Sequence, residues 1–495
     1  MGNSAKILGY GLAALHSECV PAWQKAWRAA AIACAGKKRQ AMSQPTPCRM
    51  KSITTLQKDA LQMPVPPRVV GKLGAALQPI NGMVGSGIFA VPALVYAGVG
   101  GFAPWMFVGV GLLFFPIVWC FAQLASRFEQ SGGPQLYVQS AFGPFLGFQA
   151  GWMRYASSAA AAAGNLHVMV SYLSALFPAF EGPVARPVTV LTILWTIMLI
   201  NYSGMRRAVG ALGAVSVLKF LPIIALIVAG FAFSAPDFAI RLPPFSAAES
   251  VLLLVFYTFM GFEGLVISAG EVKSPRKTIP NVLIASIAGT ALLYMLVQWA
   301  YIGVAPFLDT AAPGEDAMPL ASMAQTLAGP WAATAIALTA AMSICATTLE
   351  AGINTSRLCY AMAWNGLLPK ALAHVSRRFQ TPDASIFLLG LVASIFALSG
   401  AFAFLAVAST VSRIVMYLLC AAALPVLRKR EIRQGGRAWR AIDVAMPFLA
   451  IISCLWIARQ ASLEAYGVLA LTIAAGALLF FVAKRQPRTI RSEPA

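Results

Sequence analysis

The sequence predicts an all-α polytopic membrane protein with twelve transmembrane helices, and three observations support that fold class. The chain of 495 residues is 59% hydrophobic and only 11% charged, which excludes an ordinary soluble globular protein. Apolar runs of about 20 residues, the length of a helix that crosses a bilayer, recur along nearly the whole chain. The Lys and Arg residues, finally, concentrate on one side of the predicted spans.

The distribution of the 37 Lys and Arg residues predicts the orientation. With the N-terminus in the cytoplasm, only three of them fall on the outer side: Arg186, Arg241 and Arg459. Three more lie within predicted spans: Arg154, Lys219 and Arg413. The positive-inside rule therefore predicts a multi-pass protein with both termini cytoplasmic. We expect it to lie in the plasma membrane, a bacterial inner membrane. The net charge of +20 then belongs to loops beside an anionic lipid leaflet, and we expect no nucleic-acid partner.

The predicted spans follow one another closely from residue 73 to residue 483. They cover about 73–96, 102–125, 145–177, 187–202, 211–233, 250–272, 281–304, 331–356, 384–400, 402–427, 441–458 and 465–483. Residues 1–70 are basic and unlike the rest, so we expect a disordered cytoplasmic tail, with Met63 as an alternative start. Residues 485–495 are expected to form a second cytoplasmic tail.

The first span contains Gly85-Ser86-Gly87 within an otherwise apolar segment. Glycines gain nothing in the middle of a membrane helix unless the backbone must approach something closely or unwind. An opened backbone survives in hydrocarbon only where protein or a wet cavity satisfies its polar groups. The pattern therefore predicts a helix break that faces a binding site. The alternative is close packing between two helices through Gly82 and Ser86, which have small-xxx-small spacing.

A second interruption is predicted in span 6, where Gly261 and Gly264 flank Glu263. Spans 1–5 and spans 6–10 thus each begin with a glycine-interrupted helix. Because each repeat has an odd number of spans, the second copy must insert in the opposite orientation. We predict an inverted 5+5 repeat over residues 71–235 and 248–430, followed by two C-terminal helices within 438–484. Two interrupted helices at corresponding positions are typical of a transporter's binding site.

Four motifs in order along the chain resemble the amino acid–polyamine–organocation (APC) permeases. They are Gly85-Ser86-Gly87-Ile88-Phe89, the region from Gly132-Gly133 to Gly151-Trp152, the stretch from Phe256 to Pro280, and the stretch from Ser356 to Pro369, which matches the loop after the family's eighth helix. The similarity covers about residues 70–430. It implies a LeuT-type fold of ten helices in inverted repeat plus two more, and transport of amino acids or related amines.

An amino acid substrate needs N–H donors for its carboxylate and carbonyl acceptors for its ammonium. A broken helix supplies both kinds of group. We predict that the backbone of Ser86, Gly87 and Ile88 binds the carboxylate. Carbonyl groups near Val84, Phe256 and Phe259 are predicted to hold the ammonium, with Gly261 in the same site.

Three residues of span 6 are predicted to act in gating. Phe259 or Phe262 would close over the substrate side chain, although ordinary packing is the alternative for any single aromatic residue. Glu263 could pair with a cation, contact a substrate amine or hold the span in place. Because the resemblance includes this glutamate in family members with different substrates, we favour a structural or gating role over selectivity.

Lys219, within span 5, is the predicted proton-coupling residue. A buried ammonium in a membrane span is costly and usually functional, although snorkelling to the inner surface is the alternative. Burial disfavours the charged form of an amine, which would allow Lys219 to load and unload a proton. The segment 217–222 is also similar to the fifth helix of family members in which a lysine stands in for a sodium ion. We predict proton-coupled uptake, with amino acid or amine exchange without net proton movement as the alternative.

The sequence lacks the residues that other classes of protein function require. The spans show no cluster of metal ligands and no nucleophile–base pair, so we expect neither a metal, a cofactor nor an enzyme. Rings of charge typical of a channel and a nucleotide-binding motif are also missing from the sequence. The predicted partners are an amino acid, a proton and the lipid bilayer.

Overall fold

The computed structural model describes residues 68–485, apart from 69, 129, 131, 205–216, 235–239, 309–317, 401, 436 and 437. The expected tails 1–70 and 485–495 lie almost wholly outside the described residues, as does the start of the predicted fifth span. In the part that is described, the chain is predominantly helical.

The first half of the described chain begins with an interrupted helix. Its helices are α1 (Lys72–Met83), α2 (Ser86–Val99), α3 (Ala103–Ala125), α4 (Pro134–Phe142), α5 (Pro144–Ser174), α6 (Ala185–Tyr202) and α7 (Phe220–Phe233). The second half also begins with an interrupted helix. Its helices are α8 (Phe245–Thr258), α9 (Glu263–Ile267), α10 (Pro275–Val304), α11 (Pro319–Ala328), α12 (Pro330–Trp364), α13 (Asp383–Ser399), α14 (Phe402–Arg433), α15 (Ala441–Ala458) and α16 (Leu463–Arg485).

Helix α12 is longer than the predicted eighth span. The predicted span ends at residue 356 and the following motif is predicted to form a loop, but the helix continues to Trp364. Leu358, Cys359 and Met362 are buried apolar residues at helical spacing, so packing against the protein interior extends the helix past the predicted end. The first part of the motif is therefore helical.

Several helices are long and apolar enough to cross a membrane. Among the described residues there are seven such helical segments, the first of which contains both α2 and α3: Ser86–Ala125, Ala185–Tyr202, Pro275–Phe307, Pro330–Trp364, Phe402–Arg433, Ala441–Ala458 and Leu463–Arg485. Three shorter apolar helices accompany them: Phe220–Phe233, Phe245–Thr258 and Asp383–Ser399. Large apolar side chains such as Leu112, Leu199 and Phe387 are exposed on the outside, as expected of a surface that faces lipid. The chain is a polytopic helical membrane protein.

Helix α5 lies at the centre of the helix bundle, where it packs against α12 and α14. It is not among the seven apolar helices because it carries several polar side chains, and most of these are buried. Its buried polar residues include Arg154, Ser157, Ser158 and Asn165. A polar face buried among other helices is typical of a helix that lines an internal site.

The two interrupted helices touch each other at their breaks. Helix α1 ends at Met83 and α2 begins at Ser86, so the break lies at Val84 and Gly85. A Cβ atom at Gly82 would lie 2.8 Å from the carbonyl oxygen of Gly261, which itself has a φ of +121°. The predicted break is confirmed. Close packing through Gly82 also occurs, against the turn between α8 and α9.

A second connection joins the far ends of the same two segments. Val70 and Val272 form an isolated parallel bridge, in which Val70 donates to the carbonyl of Glu271 at 2.9 Å. The amide of Lys273 donates to the carbonyl of Val70 at 2.9 Å. Helices α1 and α9 are therefore linked by backbone contacts at both ends.

Candidate functional site

A cavity of about 60 Å³ lies where the two interrupted helices meet. Ser86 and Gly87 line it at the first break, and Thr258 and Gly261 line it at the second. Helices α5, α12 and α14 supply the rest of the lining. The cavity thus brings together the two breaks that the sequence predicted.

The start of α2 gives this cavity a set of hydrogen-bond donors. The first amides of a helix have no partner within the helix, and the helix dipole places partial positive charge there. No side chain caps α2, whose preceding residue is Gly85. Ser86 and Gly87 line the cavity, and their amides lie at this terminus, so this end of the helix suits a negatively charged group.

Asn165 of α5 connects the two interrupted helices through their side chains. Its Oδ1 accepts a hydrogen bond from Ser86 Oγ at 2.6 Å and another from the Tyr257 hydroxyl at 2.9 Å. Its Nδ2 donates to Thr348 Oγ1 at 3.4 Å. Because all four side chains are buried, these bonds fix the position of the first turn of α2 relative to α8.

Lys219 is fully buried, and its ammonium lies at the first break. Its Nζ donates to the carbonyl oxygen of Val84 at 2.6 Å and to Asn81 Oδ1 at 2.7 Å. Asn81 Nδ2 in turn donates to a carboxylate oxygen of Glu350, a residue that lines the cavity. The ammonium therefore points into the protein and does not snorkel to a membrane surface.

Glu263, at the start of α9, is held by two arginines from other helices. Its carboxylate lies 3.1 Å from Arg413 Nη1 and 3.5 Å from Arg154 Nε, and all three side chains are at most 5% exposed. The amide of Gly261 donates to its second oxygen at 2.9 Å, and the Tyr417 hydroxyl donates to the first at 3.3 Å. One buried carboxylate thus faces two buried guanidinium groups.

The family model described as amino acid permease matches residues 72–491 of this chain. The chain belongs to the amino acid permease family. Membership of this family agrees with the predicted role in transport rather than catalysis.

Three relatives illustrate the range of this family. The chain is 30% identical to a cadaverine/lysine antiporter of Escherichia coli (strain K12). This match covers 54% of the present chain and 60% of the antiporter, so the chain spans less than two thirds of the antiporter's length. It is 25% identical to a methylthioribose transporter of Bacillus subtilis (strain 168), and this match covers 85% of the present chain and 94% of the transporter. It is 26% identical to a branched-chain amino acid permease of the same organism, over 79% and 87%.

The predicted substrate contacts of the permease fall into two groups. Three of the seven residues line the cavity: Ser86, Gly87 and Gly261. The other four are not among the lining residues: Val84, Ile88, Phe256 and Phe259. The carbonyl of Val84 already accepts the hydrogen bond from Lys219. Contact between these four residues and a substrate stays a prediction.

The predicted gating residues of the permease lie in its aromatic core. The ring of Phe259 packs against that of Phe114, with 5.8 Å between the ring centroids. The ring of Phe262 packs against Phe121 and Tyr417, with centroid distances of 5.1 Å and 5.8 Å. Both phenylalanines are fully buried. Ordinary packing accounts for these contacts, and the gating roles of Phe259, Phe262 and Glu263 stay predictions.

Asn165 and Tyr257 are not among the predicted site residues, and for Arg154 and Arg413 the sequence predicts only a position within spans, as interior pairs or near the membrane interfaces. Each is a polar or ionisable residue within a helix of the bundle, and that signal alone favours a functional position. In the described part of the permease, no group of three His, Cys, Asp or Glu side chains is arranged to hold a metal ion.

We expect replacement of Asn165 by Ala to lower the stability of the permease by roughly 1–3 kcal/mol, because it leaves the buried hydroxyls of Ser86 and Tyr257 without their acceptor. Thermal unfolding in detergent measures the change. Asn281→Ala, at an exposed position of α10, is the control and should change stability little. Equal melting temperatures for the two variants would show that Asn165 does not hold the breaks together.

Proposed function

We propose that this permease is a secondary active transporter that takes up an amino acid together with protons by alternating access. The proposal includes twelve spans in a LeuT-type arrangement, with inverted repeats at 71–235 and 248–430 and two further helices at 438–484. It also places the protein in the plasma membrane, a bacterial inner membrane, with the tails 1–70 and 485–495 in the cytoplasm.

The substrate carboxylate is proposed to bind at the start of α2. Ser86 and Gly87 line the cavity, and their amides lie at the positive end of the helix dipole. The ammonium would then face the unwound segment between α8 and α9, whose backbone includes Gly261. This arrangement uses the two breaks for the two charged groups that every amino acid carries.

The contact between Lys219 and the first break is the observation that supports proton coupling. The ammonium donates to the carbonyl of Val84 and to Asn81, and Asn81 donates to Glu350 at the cavity. Loss of the proton from Lys219 would remove the positive charge that strengthens both hydrogen bonds and would therefore weaken them. The protonation state of Lys219 would therefore change the geometry of the break at which substrate binds.

Exchange of one amino acid or amine for another is the second candidate function. It is favoured by the relative named as a cadaverine/lysine antiporter. The three relatives are named for substrates that differ in charge, so membership of the family does not by itself identify the side chain that is transported.

We expect Lys219→Ala to abolish gradient-driven uptake in proteoliposomes, measured with a panel of radiolabelled amino acids with and without an inward proton gradient. Lys219→Arg should fail as well, because a guanidinium keeps the positive charge but does not release a proton. The exposed Lys277→Ala variant is the control and should retain uptake.

The outcomes separate the two candidates. Wild-type uptake that ignores the gradient but requires an internal amino acid would support exchange. Full gradient-driven activity in Lys219→Arg would show that Lys219 acts through its charge and carries no proton. Failure of every amino acid to move in wild type would contradict the proposed function itself.

A further inference from the structure

We infer that Arg154 forms an anion-binding subsite in the cavity, and that the amino acid transported by this permease carries a second negatively charged group, such as a side-chain carboxylate. This inference rests on the proposed amino acid transport and specifies its substrate class. It is based on an excess of buried positive charge beside the cavity.

Two of the three guanidinium nitrogens of Arg413 contact polar groups of the protein. Its Nη1 lies 3.1 Å from Glu263, and its Nε donates to Ser157 Oγ at 2.8 Å. The remaining oxygen of Glu263 accepts the amide of Gly261. The carboxylate of Glu263 is therefore committed to Arg413 and to the second break.

Arg154 is left with donors that the described residues do not satisfy. It lies 3.5 Å from the same oxygen of Glu263, and its Nε and Nη1 have no hydrogen-bond partner within the described part of the chain. The side chain is 4% exposed and lines the cavity. Burying a guanidinium whose donors lack hydrogen-bond partners is unfavourable in free energy. A carboxylate satisfies the two parallel N–H donors of a guanidinium best.

Glu350, an acidic residue that lines the cavity, belongs to a different network. Its carboxylate accepts a hydrogen bond from Asn81, which accepts one from Lys219 in turn. Glu350 and Lys219 thus balance each other through Asn81. In the part of the chain that the structure describes, the cluster of Arg154, Arg413 and Glu263 therefore keeps one excess positive charge, and Arg154 holds its unsatisfied donors.

The face of α5 beside Arg154 leaves room for a substrate side chain. Ser158, Ala161 and Ala162 line the cavity at helical spacing from Arg154. These side chains are small. An amino acid whose α-carboxylate lies at the start of α2 could therefore extend along this face toward the guanidinium.

The test measures binding and transport separately in the full-length protein. Aspartate, glutamate, leucine and lysine are compared at equal concentrations, first by the rise in melting temperature that each causes in detergent, then by competition with labelled uptake in proteoliposomes. We expect aspartate or glutamate to be preferred by wild type. Arg154→Met should raise the concentration of the acidic amino acid that is needed for half-maximal uptake by about 30-fold or more.

Two further variants keep the result interpretable. Arg433→Met, at an exposed position, is the control and should not change the preference. Arg154→Lys keeps the charge but loses the planar fork, so it should bind the acidic amino acid more weakly than wild type does even if Arg154→Met fails to fold. An unchanged acidic preference in a folded Arg154→Lys or Arg154→Met variant would overturn the inference.

The inference and the proposed function fail in different ways. If wild type binds and transports leucine or lysine but neither acidic amino acid, the assignment of Arg154 is wrong and amino acid transport stands. If no amino acid raises the melting temperature or enters proteoliposomes, the proposed function fails, and the inference fails with it.

Discussion

Glu263→Gln is expected to destabilise the permease by about 3–5 kcal/mol, the cost of removing one partner from a buried ion pair. In wild type the fully buried carboxylate lies 3.1 Å from Arg413 and 3.5 Å from Arg154. The amide that replaces it is neutral, so two guanidinium groups would face each other in the interior without a counter-charge. Thermal unfolding in detergent, together with the yield of folded protein, measures this effect.

The matched control is Glu464→Gln, which changes an exposed glutamate of α16 in the same way. A second variant tests the cause, because Arg154→Met combined with Glu263→Gln removes one positive charge together with the negative charge. The double variant should be more stable than Glu263→Gln alone, a coupling that distant residues do not show. If Glu263→Gln melts at the same temperature as Glu464→Gln, the cluster does not contribute to stability.

Gly261→Ala is expected to abolish transport and to lower the melting temperature strongly. The φ of Gly261 is +121°, a conformation that costs a residue with a side chain on the order of 1–3 kcal/mol. The added Cβ would also collide with the backbone of Gly82, which cannot move away as a flexible side chain could. Uptake in proteoliposomes and thermal unfolding in detergent measure the two effects.

Gly289→Ala provides the comparison for this variant. Gly289 lies in α10, and a Cβ there would meet nothing within 4 Å. Alanine is the better helix former by roughly 0.5–1 kcal/mol, so this variant should be at least as stable as wild type. Normal uptake by Gly261→Ala would contradict the close contact between the two breaks.

The breaks could be predicted from the sequence because their signal is local. Glycines beside Ser86 and Glu263 stand where a membrane helix would otherwise carry apolar residues, and no tertiary information is needed to recognise them. Lys219 could be singled out for the same reason, since an ammonium within a span is exceptional by residue type alone, and its role in proton coupling stays a prediction.

The partners of these residues could not be predicted, because they come from helices distant in sequence. Asn165 reaches Ser86 and Tyr257, and their bonds depend on how α5 packs against two other helices. The two arginines beside Glu263 lie on α5 and α14, and their distance from it is set by the packing of the whole bundle. Periodicity shows that such residues face inward but not which residues they meet.

The two backbone connections between α1 and α9 restrict how the permease can change shape. Gly82 meets Gly261 at one end, and Val70 pairs with Val272 at the other. Hydrogen bonds at one end and a close steric contact at the other restrict the independent movement of these two segments. Opening and closing of the cavity would then move α1 and α9 together relative to α5, α12 and α14. A displacement of either segment would also displace the corresponding segment in the other half of the chain.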